Sequence, residues 1–328
     1  MTRVHIIGAA GYGAGDILRY LDRHPHVTIG TLESGSSAGE YLGDIFPELR
    51  HLPVGRLQFA ERGAVRSNLA AEDLVICAGS AELASEIVPG LLEQGARVID
   101  LSDAFRLDWQ QHGAVYGFTE RYRDQIAQAR LVANPGCFPT TTLLALQPLA
   151  ALANTITAIV LNITSGISGA GRTPKTGSLF AELDGEIRAY GLAGHRHIPE
   201  IAQELAALKI NAPFTFTPQV APVTRGMLGC ISVIFSQAPT QATLDSLFEQ
   251  TYNGTDFVHL LPATQAPSLR AVARTNNAEL SYSLHINTLR ILCGIDNLGK
   301  GAAGQAVQNL NVMYGYSENC SLNDHPNI

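Results

Sequence analysis

One cysteine of this chain lies where a thiol can act as a nucleophile. Cys137 occurs in the stretch NPGCFPTTT, at the start of an apolar segment with helical spacing over residues 139–152. The N-terminus of a helix carries a partial positive charge, which lowers the pKa of a cysteine and favours the thiolate. The flanking glycine and prolines fix a bend and keep the sulfur off a regular buried face. The pattern therefore favours a nucleophile over a small core residue.

The other cysteines predict neither a disulfide framework nor a metal site. Cys77, Cys230 and Cys293 lie inside apolar, strand-like segments, where we expect them to be buried core residues. The chain has five cysteines, without a Cys-x-x-Cys pair and without a His-x-x-x-His helix. An odd number of scattered cysteines is typical of a protein from a reducing compartment.

The segment AGHRHIPEIAQEL supplies candidates for proton transfer to and from the cysteine. His197 and Glu200 are three positions apart at the start of a predicted helix, so they share a face. In that geometry the carboxylate can orient the imidazole. A helix-capping histidine followed by an ordinary first-turn acid explains the same pair equally well. His195 lies two residues earlier, and the other histidines are isolated and look like surface residues.

A glycine cluster indicates a dinucleotide site. In GAAGYGAG, Gly8 and Gly11 follow the first strand and precede the first helix, where glycine lets the backbone approach a pyrophosphate. A tight turn without a ligand is the alternative. The second strand ends in LESGSSAGE, where Glu33 could accept a free ribose 2′-hydroxyl or the serines could bind a 2′-phosphate; these are Ser34, Ser36 and Ser37. A solvated serine loop is a third reading, so the residues leave NAD and NADP open.

The elements around these residues predict an α/β chain with two domains. Apolar strands at 4–7, 27–32, 73–79 and 97–102, with a helix at 81–94, indicate a Rossmann-type parallel sheet wrapped by helices. Strands at 156–164, 214–220, 228–236 and 288–295 indicate a second α/β domain with a mixed or antiparallel sheet. Residues 299–316 predict an amphipathic helix of small residues. We expect residues 1–136 and 300–328 to form the dinucleotide-binding domain and residues 137–299 the catalytic and oligomerisation domain.

Length, charge and hydrophobic pattern limit the number of domains, the partners and the cellular location that we expect. A chain of 328 residues is long enough for two domains, each with its own core. A net charge of −7 without a basic run argues against a nucleic-acid partner. The apolar runs are too short to cross a bilayer, and the N-terminus MTRVHIIGAAG enters a strand at once, without a signal-peptide pattern. We therefore expect a cytoplasmic protein without a membrane partner.

Several segments together resemble the N-acetyl-γ-glutamyl-phosphate reductase family of arginine biosynthesis, which is related to aspartate-semialdehyde dehydrogenases. The segments are VANPGCFPTTTLLALQP, SGISGAGR, HRHIPEI, LSDAFRL and DNLGKGAAGQAVQN, and the resemblance covers essentially the whole chain in the family's order. It implies NADPH-dependent reduction of an acyl phosphate to an aldehyde. In that reaction Cys137 forms a thioester, His197 is the acid/base and Glu200 orients it.

The resemblance also implies binding residues. The expected cofactor contacts are Gly8, Gly11, Tyr12, Gly13, Ser34, Ser36, Ser37 and Asn297. Candidates for the phosphate of the substrate are Ser102, Arg106 and Arg172, because a guanidinium matches phosphate geometry. Either arginine could instead form a surface or interdomain ion pair. The expected partners are a small-molecule acyl phosphate, inorganic phosphate and further copies of the chain, in a homodimer or homotetramer.

Several positions depart from the family pattern, and rival functions remain. Thr141 replaces a small residue after the cysteine motif, and Pro218-Gln219-Val220 stands where the family usually has Pro-His-Leu. Ala14 stands where the family has a third glycine, and Gly35 stands where it often has a basic residue, so the preference for NADP over NAD is expected to be modest. The same machinery could act on a carrier-protein-bound aminoadipyl phosphate or on aspartyl phosphate. A Cys-His hydrolase is the rival outside this class, and it would leave the glycine turn unused.

Overall fold

The computed structural model describes residues 1–174 and 176–322 and contains two compact units. The first unit consists of Met1–Pro135 and the chain from Ala302 on. The second unit is the continuous stretch Gly136–Gly301. Among the described residues, no helix is long and apolar enough to cross a membrane.

The first unit is built on a six-stranded, wholly parallel sheet with the order β2-β1-β3-β4-β6-β5. Its strands are β1 (Thr2–Ile7), β2 (Val27–Glu33), β3 (Leu74–Cys77), β4 (Arg97–Asp100), β5 (Val115–Tyr116) and β6 (Leu131–Ala133). Its helices are α1 (Tyr12–Leu21), α2 (Leu42–Ile45), α3 (Ala64–Asn68), α4 (Ala81–Glu93) and α5 (Thr119–Gln128). The Rossmann-type sheet predicted from the sequence is confirmed.

The strand order of the first unit reverses at β1. The chain runs from β1 outward to β2 and then returns to pair β3 on the other side of β1. Sheets of this kind bind ligands in the crevice at the carboxyl ends of the strands where the order reverses. The turn after β1 and the turn after β3 therefore mark the expected ligand site.

The second unit is built on a seven-stranded sheet with the order β11-β12-β13-β10-β7-β9-β8. Its strands are β7 (Ile156–Gly166), β8 (Arg188–Ala189), β9 (Phe214–Ala221), β10 (Met227–Phe235), β11 (Val258–Leu260), β12 (Ala278–His285) and β13 (Thr288–Ile295). Two pairs, β7–β9 and β11–β12, are parallel and the others are antiparallel, so the predicted mixed sheet is confirmed. Its helices are α6 (Cys137–Leu146), α7 (Phe180–Leu183), α8 (His197–Ala207), α9 (Gln241–Tyr252) and α10 (Leu269–Val272).

The helix that contains Cys137 is shorter than its apolar pattern suggests. The pattern runs over 139–152, whereas α6 begins at Cys137, ends at Leu146 and continues as a 3₁₀ helix over Gln147–Thr155. Pro148 has no N–H to donate to the carbonyl of Leu144, four residues earlier. That carbonyl instead accepts a hydrogen bond from the hydroxyl of Tyr252 in α9. Other 3₁₀ turns are Pro47–Leu49, Pro53–Arg56, Trp109–His112, Ile167–Ala170 and Thr176–Ser178, and Gly299–Ala303 forms a π-helical turn.

The three strand cysteines do not share one environment. Cys77 and Cys293 are buried as predicted, and burial raises the pKa of both thiols. The prediction for Cys230 is wrong, because this residue is exposed. Its neighbours Gly229 and Ile231 are buried. Side chains alternate along a strand, so Cys230 belongs to the face of β10 that points away from the core of its unit.

The helix α11 (Gly304–Met313) completes the first unit, and it is not amphipathic. All ten of its residues are buried, which contradicts the prediction. Asn309 is paired inside the unit: its amide nitrogen donates to the carbonyl of Gly117 at 2.9 Å, and the hydroxyl of Thr119 donates to its amide oxygen at 2.7 Å. Buried polar groups are tolerated when they are paired in this way.

Two histidines that looked like surface residues are buried in the first unit. His5 accepts the N–H of Thr31 at 3.0 Å on Nδ1, and its Nε2 lies 3.1 Å from Asp73. His24 has its Nε2 2.8 Å from the amide oxygen of Asn311. Burial lowers the pKa of both imidazoles. Both are therefore neutral core residues near neutral pH.

Candidate active site

Cys137 is the first residue of α6. Gly136 before it is extended (φ −71°, ψ 154°), and the N–H of Thr140 closes the first turn on the carbonyl of Gly136 at 2.9 Å. The first N–H groups of a helix lack an intrahelical acceptor, and their partial positive charge stabilises a nearby anion. The side chain is neither fully buried nor fully exposed. The predicted position of the cysteine at a helix N-terminus is thus what the structure shows.

Three threonines fix the first turns of α6. The hydroxyls of Thr140, Thr141 and Thr142 donate to the carbonyls four residues earlier, those of Gly136, Cys137 and Phe138, at 3.0, 3.0 and 2.9 Å. All three are fully buried. Threonine competes with the helix by this kind of bond, but here each bond satisfies a hydroxyl that has no access to water. Cys137 therefore lies on a turn that these hydrogen bonds hold in place.

Glu200 contacts the residue directly before the cysteine. Its Oε1 accepts the N–H of Gly136 at 2.9 Å, and the side chain is buried in the second unit. A carboxylate that accepts a backbone N–H makes one of the stronger hydrogen bonds in proteins. Glu200 thus holds the turn that carries Cys137. Its predicted contact with His197 stays a prediction.

Two imidazoles lie beside the cysteine turn at the start of α8. The ring centroids of His195 and His197 are 4.9 Å apart. The ring of Phe138, the residue after Cys137, has its centroid 5.4 Å from that of His195 and 5.7 Å from that of His197. The Nδ1 of His195 accepts the N–H of His197 at 3.1 Å. Burial, with a smaller contribution from the charge of Arg196, lowers the pKa of His195. His195 is therefore neutral near pH 7 and supports the backbone of His197.

Sequence reasoning missed Tyr190. Burial raises the pKa of its phenol, and a negative charge on the nearby Cys137 would raise it further. Its ring lies 5.6 Å from that of His195 and 6.5 Å from that of Phe138. A neutral phenol thus faces the same aromatic cluster as the two imidazoles. No spacing pattern links Tyr190 to Cys137, so the sequence alone gives no signal for it.

Gly301 was missed as well, and it lies against Cys137. A Cβ at this position would lie 2.8 Å from the Cβ of Cys137 and 3.1 Å from the carbonyl oxygen of Asp296. Only a glycine lets the backbone pass so close to the cysteine. The run of small residues GKGAAG was the available signal, but the sequence predicts only an amphipathic helix there.

Asn297 ties loops of the second unit together. Its amide oxygen accepts the N–H of Gly226 at 2.9 Å, and its amide nitrogen donates to the hydroxyl of Ser168 at 2.9 Å. The neighbouring Asp296 accepts from Nε of Arg225 at 2.9 Å. These bonds fix the segment that leads to Gly301. The predicted cofactor contact of Asn297 stays a prediction.

The glycine turn of the first unit fits a pyrophosphate. Gly8 has φ +78°, and a Cβ there would lie 2.8 Å from the backbone of Ala78 and Gly79 after β3. Gly11 precedes α1, whose N-terminus faces this turn. Tyr12 is 42 % exposed, and Gly13 has ordinary room for a side chain.

Gly15 resolves the departure at position 14 from the family's glycine pattern. A Cβ on Gly15 would lie 2.6 Å from the ring of Phe46, so this residue needs to be a glycine for α1 to pack. The third glycine of a dinucleotide turn serves such close packing. Ala14 is itself fully buried beside it. Gly15 therefore allows close packing one position later than the family's third glycine, against the side chain of Phe46.

The loop after β2 is ordered from within. The hydroxyl of Ser34 accepts the N–H of Ser37 at 3.2 Å, and both serines are buried, whereas Ser36 is exposed. Glu33 is buried, and its Oε2 accepts the N–H of Val65 in α3 at 3.1 Å. Of the three serines, Ser36 is therefore best placed to reach a ligand.

The two phosphate candidates of the first unit are engaged in local contacts. Arg106 is 6 % exposed and donates to the carbonyls of Asn134 at 2.8 Å and Leu101 at 2.7 Å. The hydroxyl of Ser102 donates to Asp100 at 2.7 Å. Arg172, in the second unit, is exposed on the loop after Ile167–Ala170. Their predicted roles stay predictions, and the structure gives Arg106 a clear structural task.

A cleft of about 400 Å³ opens at the carboxyl ends of β1, β2 and β3. It lies at the point where the strand order reverses, next to the glycine turn. Its lining includes Ile7, Gly8, Glu33, Gly35, Arg62, Ser80, Glu82, Leu83 and Glu86. The position and the glycine cradle fit the adenosine end of a dinucleotide.

Comparison with known proteins agrees with this geometry. Residues 3–129 match the family "Semialdehyde dehydrogenase, NAD binding domain", and residues 137–297 match "Semialdehyde dehydrogenase, dimerisation domain". The chain is 39% identical over 342 residues to an N-acetyl-gamma-glutamyl-phosphate reductase of Brevibacillus brevis, covering 98% of each chain. It is 40% identical over 341 residues to one of Desulfotalea psychrophila, covering 97% of each.

A solved structure shares the fold. Aspartate semialdehyde dehydrogenase II from Vibrio cholerae matches with a TM-score of 0.76 and 18% identity, over 95% of this chain and 98% of that one. At this identity the likeness describes the architecture alone. It bears out the combination of a Rossmann-type sheet with a second unit built on a mixed sheet.

Proposed function

The chain belongs to the N-acetyl-gamma-glutamyl-phosphate reductase family of oxidoreductases, and from this premise we propose that Cys137 carries the reaction as a covalent thioester. The observation that supports the proposal is the position of Cys137 at the N-terminus of α6, on a turn held by Glu200 and flanked by two imidazoles. A thiolate in this field is the nucleophile that acyl transfer requires.

The first step forms the thioester. The Cys137 thiolate attacks the γ-carbonyl carbon of N-acetyl-γ-glutamyl phosphate, and the bond from that carbon to the phosphate oxygen breaks. Inorganic phosphate leaves and takes up a proton from solution. The N–H groups of the first turn of α6 stabilise the oxyanion of the tetrahedral intermediate. Glu200 serves this step by fixing Gly136, and thereby the position of the sulfur.

The second step reduces the thioester to the aldehyde. A nicotinamide dinucleotide held at the Gly8 turn would supply the hydride that reduces the thioester carbon. His197 donates a proton to the resulting oxyanion and recovers it when the carbon–sulfur bond breaks. The products are N-acetylglutamate semialdehyde and the regenerated thiolate. His195 keeps the backbone of His197 in place through its hydrogen bond.

We propose NADPH as the cofactor. The NAD-binding-domain match supports a nicotinamide dinucleotide, and the Gly8 cradle supports close approach of its pyrophosphate. Glu33 would repel a 2′-phosphate, but one of its oxygens is engaged by the N–H of Val65, and Ser36 is exposed to offer a neutral hydrogen bond. Neutral donors discriminate weakly. We therefore expect NADPH to exceed NADH by about 10–100-fold in kcat/KM, equivalent to about 1.4–2.7 kcal/mol.

We propose that Arg172, rather than Arg106, binds the phosphate of the substrate. Arg106 is buried and donates to two backbone carbonyls, so a phosphate would have to compete with them. Arg172 is exposed and belongs to the same unit as Cys137. Ser102 stays a candidate for a weaker, neutral contact.

An absorbance assay at 340 nm tests the function in the reverse direction. N-acetylglutamate semialdehyde, inorganic phosphate and NADP⁺ should give NADPH only when all three are present. Aspartate semialdehyde and a carrier-protein-bound aminoadipate semialdehyde are the comparison substrates. Turnover independent of phosphate, or faster with either comparison substrate, contradicts the proposal. Ser36→Ala in the same assay should lower the preference for NADP⁺ over NAD⁺.

Assembly and location complete the proposal. We propose a homodimer or homotetramer in the cytoplasm, formed through the second unit, because this unit matches a dimerisation domain. Its sheet also has a face that includes exposed residues, among them Cys230 and Arg290. Light scattering after size-exclusion chromatography tests the assembly, and a monomer at micromolar concentration contradicts it.

A further inference from the structure

The cleft of the first unit contains one cation whose role the sequence does not explain. Among the described residues that line it, Arg62 is the only arginine or lysine, against the carboxylates of Glu33, Glu82 and Glu86. Position 35, in the loop after β2, is a glycine with open space around it. A 2′-phosphate in this cleft therefore has no cation from the serine loop, and Arg62 is the remaining source of positive charge.

Backbone hydrogen bonds place Arg62 beside the serine loop. The N–H of Ser34 donates to the carbonyl of Ala60 at 3.0 Å, and the N–H of Ala60 donates to the carbonyl of Leu32 at 2.7 Å. A further bond joins Gly39 to Phe59 at 2.8 Å. The segment that precedes Arg62 is thus fixed along the end of β2. This edge of the sheet is where a dinucleotide fold meets the ribose of the adenosine.

The three carboxylates of the cleft have different partners. Glu33 accepts the N–H of Val65. Glu82 lies in the first turn of α4, where its own N–H and the hydroxyl of Ser80 lower its pKa. Glu86 pairs with Nη2 of Arg62 at 3.2 Å, and both side chains are about two thirds exposed, at 65% and 68%. Of the three, Glu86 is therefore the one that competes directly for the arginine.

An exposed ion pair of this kind is easily exchanged. Double-mutant cycles show that most exposed ion pairs contribute little stabilising free energy, because water and salt screen both charges. A phosphate monoester carries about −1.5 to −2 charges near pH 7 and offers an arginine two parallel hydrogen bonds. It is a stronger partner than a single carboxylate oxygen.

We infer that Arg62 recognises the 2′-phosphate of the cofactor and that Glu86 competes with this phosphate for it. The inference rests on the proposed NADPH dependence and names the specificity-determining pair. The dinucleotide enters with Glu86 on Arg62, and the guanidinium transfers to the phosphate when the ligand binds. Glu86 therefore weakens NADPH binding and has little effect on NADH.

Binding of nucleotide fragments tests the inference without turnover. Adenosine 2′,5′-bisphosphate carries the discriminating phosphate, and adenosine 5′-monophosphate lacks it. Calorimetry should show that Arg62→Gln lowers the affinity for the bisphosphate at least tenfold. The same substitution should change the affinity for the monophosphate less than twofold. Glu86→Gln should raise the affinity for the bisphosphate several-fold. The matched control is Arg66→Gln. Arg66 is an exposed arginine in α3, four residues after Arg62, and it is not among the residues that line the cleft, so its replacement should change the affinity for neither nucleotide.

The opposite results overturn the inference. Arg62→Gln that leaves the bisphosphate unchanged, or that weakens both nucleotides equally, shows that the arginine does not read the 2′-phosphate. Glu86→Gln that weakens the bisphosphate shows that the carboxylate does not compete. Equal affinity of the parent protein for the two nucleotides also overturns the inference. In that case, phosphate-dependent turnover of N-acetylglutamate semialdehyde with NAD⁺ would still support the reductase function.

Discussion

The close approach of Gly301 to Cys137 makes a single methyl group informative. In Gly301→Ala the new Cβ would lie 2.8 Å from the Cβ of Cys137 and 3.3 Å from its Cα. Carbon atoms make their best contact at roughly 3.5–4.0 Å, so the first distance is short by about 0.7 Å or more. The atoms in conflict are at or near the backbone. The overlap therefore cannot be relieved by rotating a side-chain end, and the cysteine or the Gly301 segment has to move.

Such a shift affects both activity and stability. A displacement of nearly 1 Å at a reacting atom costs about 10²-fold in rate, or about 2.7 kcal/mol in activation free energy. Overpacking at a buried site costs about 1–3 kcal/mol of unfolding free energy. We expect Gly301→Ala to fold, to melt at a lower temperature and to lose about 10²-fold in kcat with little change in KM.

Steady-state kinetics and thermal unfolding of the same preparations provide the measurement. Gly90→Ala is the control: it lies in α4, where a Cβ would meet only the end of the Arg66 side chain at 3.6 Å. This change removes a helix glycine without overlap, so it should leave kcat unaltered. If Gly301→Ala keeps kcat within threefold of the parent, the contact with Cys137 does not position the sulfur.

The remaining predictions concern the nucleophile, the acid/base and the pH dependence of stability. Cys137→Ser should keep the melting temperature and nucleotide binding but remove turnover, since a hydroxyl is a poor nucleophile near neutral pH; activity within tenfold of the parent contradicts the assignment. His197→Asn should lower kcat by about 10²–10⁴-fold and His195→Asn far less, and the reverse order in steady-state kinetics shows that the wrong histidine was chosen. Burial lowers the folded-state pKa of His5, His24 and His195, so the unfolded chain binds more protons below its own histidine pKa of about 6.5. Their contribution to the unfolding free energy is complete above about pH 6.5 and is lost as the pH falls. Urea titrations at pH 7.5 and 5.5 should therefore show a smaller loss of unfolding free energy for His24→Asn than for the parent. Equal losses in the two proteins refute the explanation.

Much of the fold follows from local sequence patterns. Strands β3 and β4 lie inside the parallel sheet of the first unit and are largely buried, so they contain the apolar stretches LVIC and VI, and the sequence predicts both strands. The sequence does not predict the short strands β5 and β6. The strand β12 was missed because its outer half is only partly buried and its pattern AELSYSLH is mixed. Cys230 shows the same limit, since a strand pattern does not reveal which of its faces a neighbour covers.

The site was predictable only in its local part. Cys137 at a helix start follows from glycine and proline within a few residues of it. The contact from Glu200 to Gly136 joins residues 64 positions apart, and the contact from Gly301 to Cys137 joins the two ends of the second unit. Pairs this distant are set by the packing of whole elements, and no spacing rule within one segment predicts them. The burial of α11 escaped prediction for the same reason: its amides read as a polar face until their partners are known.

The division of the chain has a consequence for biosynthesis. The first unit consists of two stretches separated by the whole of the second, and its last helix is the fully buried α11. A ribosome therefore translates the strands β1 to β6 first but releases the helix that covers them only after every strand of the second sheet has emerged. The second unit is continuous and can complete its sheet while translation proceeds. During that interval the contact sites of Asn309 on Gly117 and Thr119 have no partner, so the unit that is begun first is finished last.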